Sequence, residues 1–168
     1  RIQEPAEFLN NIKASIEAAR KKGITIIYVH VQFRDGFPEV RANNKAFSMI
    51  KSNANFHLPE QTAIHSSIAA APNDIHVIKR RVSAFTGSDL EVVLRAQNID
   101  HLILCGIATS GVILSTLREA ADKDYTLTVL EDCCADADAE VHEILMKKVF
   151  PRQANILKHS ELIETLSN

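Results

Sequence analysis

Short apolar runs of strand length alternate with amphipathic helical stretches along this chain, and that alternation predicts an α/β domain on a largely parallel sheet. Two further observations agree with it. The runs at residues 24–33, 75–79, 101–105 and 125–130 are rich in β-branched residues, and each is followed by a helical pattern or a long excursion. A length of 168 residues, 46% of them hydrophobic, suffices for one sizeable core, so residues 1–168 are expected to form a single domain.

The elements follow in order. Phe8, Leu9, Ile12, Ile16 and Ala19 share one helical face between Pro5 and Lys22, with Pro5 near the first turn and Gly23 as the stop. ITIIYVHVQF, residues 24–33, is the first strand. Residues 34–73, with Pro38, Pro59 and Pro72, are the least regular stretch; one short helix is expected around 44–51, and an excursion of this length is suited to covering a site. Ser88 with Glu91 forms a capping box for a helix through Gln97, whose Leu90, Val93 and Leu94 face inward. Helices at 110–123 and 138–150 follow, then a short segment at 154–157 and a last helix capped by Ser160. The chain contains no repeat, low-complexity tract or Gly/Ser linker.

Composition excludes several classes of partner. Nineteen basic and 21 acidic residues leave a formal charge of −2, so neither nucleic acid nor an anionic membrane is expected, and a small metabolite fits better. No apolar run approaches the roughly 20 residues of a membrane helix, and Arg1 to Pro5 lacks a signal peptide's apolar core, which predicts a cytoplasmic protein. Cys105, Cys133 and Cys134 are an odd number with two adjacent, which disfavours a disulfide framework and agrees with a reducing compartment.

Two segments carry denser patterns: GIATSGVILSTLREAA at residues 106–121 and VIKRRVSAF at 77–85. The first resembles G-x-x-T-x-x-C-V-x-x-T, the motif holding the nucleophilic cysteine of isochorismatase-like hydrolases, with Gly106, Thr109 and Thr116 in place and Val112 where the thiol belongs. The second resembles the family's lysine segment, K-x-x-x-S-A-F, with Lys79 as the catalytic lysine. The resemblance implies a three-layer α/β/α, Rossmann-like fold. It also implies a first strand near the middle of the sheet that ends in a catalytic aspartate, and no such strand stands before Pro5 in the residues given.

In open parallel sheets ligands bind outside the carboxyl ends of the strands. Lys79 and Gly106 both stand at such ends. The turn of Ala108, Thr109, Ser110, Gly111 and Val112 leads into a helix whose first N–H groups suit an oxyanion, the role these groups have in the resembled family, beside a cis peptide expected at Ala108–Thr109. Strand alternation turns Arg80 away from Lys79 and leaves Arg81 as a candidate substrate contact. Val112 can be neither nucleophile, acid nor base and forms an apolar wall; Ser110, with no histidine in its motif to activate it, reads as a helix cap.

Cys105 reads as a small buried residue, and Cys133 and Cys134 as following the strand that ends near Leu130. No metal site and no cofactor are expected. His30 lacks the aspartate and histidine cluster of the family's metal-dependent amidases, and Asp132, Asp136, Asp138 and Glu140 read as a solvated, helix-capping loop. The family's amide hydrolysis proceeds through a thioester, whereas its vinyl-ether hydrolysis needs a carboxylic acid and survives loss of the thiol. The expected function is therefore acid-base hydrolysis of a small metabolite, with a catalytically inactive relative retained for ligand binding or assembly as the alternative. A homo-oligomer, dimer or tetramer, is also expected, from the resemblance and from Ile144, Leu145, Met146, Val149 and Phe150 covering more than one side of their helix.

Overall fold

The computed structural model of the protein describes residues 5–53 and 63–168. Helix α1, Pro5–Lys21, buries Phe8, Ile12 and Ala19 on the stripe that the spacing predicts. It stops where Gly23 adopts φ +71, and the Ile24 N–H then returns to the Ala19 carbonyl at 3.0 Å. Strand β1, Ile27–Val31, pairs in parallel with β2, Ile75–Lys79, in the register Val29 opposite Val77. Strands β3, His101–Ile107, β4, Thr126–Ala135, and β5, Asn155–Leu157, form a second parallel sheet in the order β3-β4-β5. Among the described residues no ladder joins β1 to β3.

Helices cover both faces. Leu94 of α3, Leu90–Ala96, and Leu117 of α4, Leu114–Asp122, meet Val77, Val129 and Phe150 in one core cluster. Phe8 and Ile12 of α1 and Leu162 of α6, His159–Ser167, meet Leu130 and Cys133 in the other. Val129 and its neighbour Leu130 therefore point into opposite cores, as period-2 geometry requires of a strand buried on both faces. This is the expected three-layer α/β/α arrangement. The remaining helices are α2, Lys45–Ser52, capped by the Asn44 side chain on the Phe47 N–H at 3.1 Å, and α5, Ala139–Ile144, capped by Asp138. Of the irregular stretch 34–73, Pro59 lies outside the described residues.

Several local expectations need correction. Strand β4 runs to Ala135, so Cys133 and Cys134 lie inside it and do not follow it. The reason is a large irregularity: Leu104 pairs with Val129 but Gly106 with Cys134, so β4 leaves the ladder and rejoins it. The Ser88–Glu91 capping box does not form. The Ser88 hydroxyl donates back to the Ala84 carbonyl at 2.6 Å and accepts from the Leu90 N–H at 3.1 Å, while Glu91 accepts from Lys123 at 2.7 Å. Ser160 lies inside α6; the start of that helix is held by the Asp132 carboxylate on the His159 N–H at 2.9 Å and by Glu161 on the Lys158 N–H at 2.6 Å. Leu145, Met146 and Phe150 are all buried in the core, so the apolar surface of that segment narrows to Ile144, 48% exposed, and half-buried Val149.

Candidate active site

The carboxyl end of β3 becomes the motif turn. The peptide Ile107–Ala108 is cis, one residue before the expected Ala108–Thr109 bond. Residues Thr109–Ile113 then form a wide, π-type turn in which Gly111 departs from helical angles (φ −99, ψ −105), and regular helix begins only at Leu114. The Ala108 carbonyl accepts from the Gly111 N–H at 3.1 Å and the Ile113 N–H at 3.2 Å. Ser110, exposed, makes no side-chain cap; its own N–H is capped by the Asp136 carboxylate at 2.7 Å. Two of the N–H groups expected to be open for an oxyanion are thus occupied by the protein itself.

Thr109 is fully buried, and its hydroxyl shares a hydrogen bond with Nδ1 of His142 at 2.8 Å. Val112 is half-buried and packs against the main core cluster. Thr116, one turn into α4 and 4% exposed, accepts the Ala84 N–H at 2.9 Å. That bond joins the two motif segments: Ser83, Ala84 and Phe85 are buried against α4, and Lys79 stands five residues before Ala84. Five residues span at most about 17 Å.

Lys79 closes β2 half-buried, with its amine donating to the Arg81 carbonyl at 2.7 Å. Burial lowers its pKa from the ordinary lysine range to about 8. The Arg81 guanidinium does not meet the amine in this arrangement: it donates to the carbonyls of Arg80 at 2.6 Å and Glu39 at 2.9 Å, and lies 5.6 Å from the Phe47 ring centre. Glu39 also accepts from Arg34 at 2.5 Å and pairs with Arg80 at 3.0 Å. Burial raises the pKa of its carboxyl, but hydrogen bonds from its own backbone and from Arg34 outweigh this and hold it below the usual range. The excursion at 34–53 is in this way fastened to the segment after Lys79, and it brings Phe33, Phe37 and Phe47 into one aromatic cluster.

The cysteines are poor nucleophiles where they lie. Cys133 is fully buried and pushed up to about 12 by desolvation, and Cys134 is raised well above the ordinary thiol value for the same reason. Cys105 corrects the expectation of a buried residue: its side chain is exposed at the irregularity of β3, although surrounding protein still desolvates the sulfur and lifts it to about 11. His30 stacks on His76 with ring centres 5.0 Å apart and shares a hydrogen bond with it at 2.7 Å. Among the described residues no cluster of three or more His, Cys, Asp or Glu side chains has metal-binding geometry. The carboxylates of the acidic segment each hold backbone: Asp132 on α6, Asp136 on the motif turn, Asp138 on the Glu140 and Val141 N–H groups at 3.0 and 3.1 Å. No helix among the described residues is long and apolar enough to cross a membrane.

Sequence reasoning misses His142, and it names Asp136 as a helix-capping residue without the element that it caps, the motif turn. Asp138 as an N-cap puts His142 one turn into α5, a position whose direction was readable only once α5 was known to pack beside the motif turn.

A parallel α/β domain with a lysine ending β2 and a strand-to-helix motif turn after β3 defines a structural class, and comparison with known proteins names its family. The chain belongs to the isochorismatase family: the isochorismatase domain matches residues 2–161. It is 38% identical over 110 residues to the uncharacterized isochorismatase family protein YecD of Escherichia coli O157:H7, covering 65% of this chain and 58% of that protein. It is 33% identical over 150 residues to the ureidoacrylate amidohydrolase RutB of Caulobacter vibrioides, covering 81% of this chain and 66% of that one. The chain thus spans less than two thirds of the length of either relative. The fold matches that of a cysteine hydrolase from Pseudomonas syringae pv. phaseolicola with a TM-score of 0.90, at 22% identity and covering 99% of this chain and 83% of that one.

Proposed function

We propose that the protein hydrolyses a small metabolite by acid-base chemistry without a covalent enzyme intermediate. The observation that carries this reading is Val112 at the thiol position of a motif turn whose other parts are in place. Gly106, Thr109 and Thr116 hold their motif positions, and Thr116 ties the turn to the lysine segment. A thioester cannot form at a valine. Neither hydroxyl in the turn replaces the thiol: Thr109 is fully buried, and the carboxylate beside Ser110, Asp136, is held below the usual range and is a weak base.

Lys79 supports catalysis over a purely structural role. A half-buried lysine with a pKa of about 8 carries desolvation that a solvated surface lysine does not, and perturbation of this kind clusters at functional sites. Its amine would orient the substrate and stabilise a nearby carboxylate. Glu39 is a poor proton donor, because hydrogen bonds from its own backbone and from Arg34 hold its carboxyl below the usual range. The family pattern assigns the donor instead to an aspartate at a strand end that does not occur among residues 1–168.

The experiment compares native protein and Val112→Cys, each with any residues upstream of Arg1 retained, on a vinyl ether, isochorismate, and two amides, nicotinamide and ureidoacrylate. Acid-base chemistry predicts turnover of the vinyl ether by native protein, with amide turnover only in the cysteine variant. A covalent acyl adduct of native protein with an amide, found by mass spectrometry, overturns the reading. Inactivity of both proteins on all three compounds supports the inactive relative.

A further inference from the structure

The N–H groups at the start of the motif turn are where a parallel α/β domain ordinarily presents positive potential to a ligand. In this chain a carboxylate already sits there. Asp136 Oδ2 accepts the Ser110 N–H at 2.7 Å, and its other oxygen accepts the Asp138 N–H at 3.3 Å. Ion pairs among the described residues do not include Asp136, so its charge is met by hydrogen bonds and not by a cation. Burial pushes its carboxyl up, but the hydrogen bonds from Ser110, Asp138 and Ala137 outweigh that and hold it below the usual range, so it is ionised at neutral pH. Asp138 and Glu140, both exposed, add like charge beyond it. On the other side of the turn stands His142, bonded to Thr109.

We propose that Asp136 is a specificity-determining residue: it fills the anion seat of the motif turn, so that the substrate group lying against Ser110 to Val112 is neutral or cationic and a carboxylate is rejected there. This rests on the turn being part of the reaction site, as in the functional reading above. Two consequences follow for that reading. A substrate with a carboxylate must direct it away from the turn, towards Lys79. A tetrahedral oxyanion, the intermediate of acyl transfer, loses the Ser110 donor and meets a fixed negative charge, which disfavours amide hydrolysis independently of the missing thiol.

The test reads the field of Asp136 directly and needs no turnover. A cysteine introduced by Val112→Cys, two residues past Ser110 in the same turn, serves as the probe, with and without Asp136→Asn. Asparagine keeps an oxygen to accept the Ser110 N–H and removes only the charge. The pH dependence of iodoacetamide alkylation at position 112, resolved by peptide mass spectrometry, gives the thiol pKa in each background. Removing Asp136's charge is expected to lower that pKa by roughly one unit, about a tenfold gain in thiolate below it. In parallel, the Ser110 amide is followed by NMR as inorganic phosphate is added to the native protein and to Asp136→Ala, which removes the acceptor and empties the seat. A saturable shift is expected only in the variant. An unchanged or raised thiol pKa in Asp136→Asn, or a saturable phosphate shift at Ser110 in the native protein, overturns the proposal. Failure of hydrolysis on every substrate would leave both readouts standing, so the two readings fail separately.

Discussion

Replacing Thr116 by valine removes one hydrogen bond and little else, which makes it a sharp test of how the two motif segments are joined. The Thr116 hydroxyl accepts the Ala84 N–H at 2.9 Å, and both residues are nearly inaccessible, at 4% and 3% exposure. Valine has almost the same shape, so no cavity opens. The Ala84 N–H, however, loses its partner where water cannot replace it, at a cost of about 1–3 kcal/mol. The added methyl returns at most about 0.8 kcal/mol of apolar burial. The net loss is then roughly 1–2 kcal/mol, or a fall in Tm of about 2–8 °C for a domain of this size. Urea denaturation followed by far-UV circular dichroism should show a lower midpoint with an unchanged slope, since the area exposed on unfolding is the same. Thr116→Ser keeps the acceptor and loses only a methyl group, about 0.8 kcal/mol. If Thr116→Val proves as stable as the native protein, or less damaging than Thr116→Ser, the bond is not what fastens the segment after Lys79 to α4.

Other expectations concern single groups. Lys79 is lowered to about 8 when folded and titrates near 10.5 when unfolded; between these values its unfolded form binds more protons, so its own contribution to stability should rise as pH goes from about 8 to 10.5. The three raised thiols contribute in the opposite direction above about pH 9, so the rise is read as the difference between native protein and a variant lacking the amine. Lys79→Met should remove that rise, and an unaltered pH profile of the denaturation midpoint would count against the burial of the amine. The three thiols, at about 11, about 12 and higher still, should all react slowly with iodoacetamide at pH 8. Cys105 should be the first modified, yet on the order of a hundredfold slower than free cysteine; rapid labelling of Cys133 ahead of Cys105 would contradict the burial described. Asp132→Ala removes the acceptor at the start of α6 together with the pairing to His159 at 2.6 Å. It should cost about 1 kcal/mol, the usual worth of an N-cap, read by the same urea titration; no change in midpoint would mean that Glu161 suffices to hold that terminus.

The fold was legible because periodicity reports burial: the stripe of Phe8, Ile12 and Ala19 and the doubly buried run of β4 follow from it directly. Lys79 and the motif turn were also placed at strand ends from sequence. What failed was local polar chemistry. The Ser88–Glu91 spacing fits a capping box, but Glu91 met Lys123 across the fold and Ser88 turned to Ala84, because tertiary partners competed with the local one. The expected strand stops near Leu130 because Glu131 and Asp132 are polar residues of a kind that ends strands; here they mark only the stretch where β4 leaves the ladder with β3. Alternation puts Arg81 on the side of Lys79, but that rule stops applying where the chain leaves the strand at Lys79. The partnership of Thr109 with His142 joins residues thirty-three apart, and no local pattern announces such a pair.

The segment that closes β4 has one further implication. Asp132, Asp136 and Asp138 hold the starts of three different elements, α6, the motif turn and α5, from within seven consecutive positions. Each carboxylate can be exchanged for another short acceptor at modest cost, but the spacing between them cannot change without pulling at least one out of reach of its N–H group. A single-residue insertion or deletion here would disturb three helical starts at once. Length, more than residue identity, is what evolution or an engineer must preserve between Asp132 and Asp138.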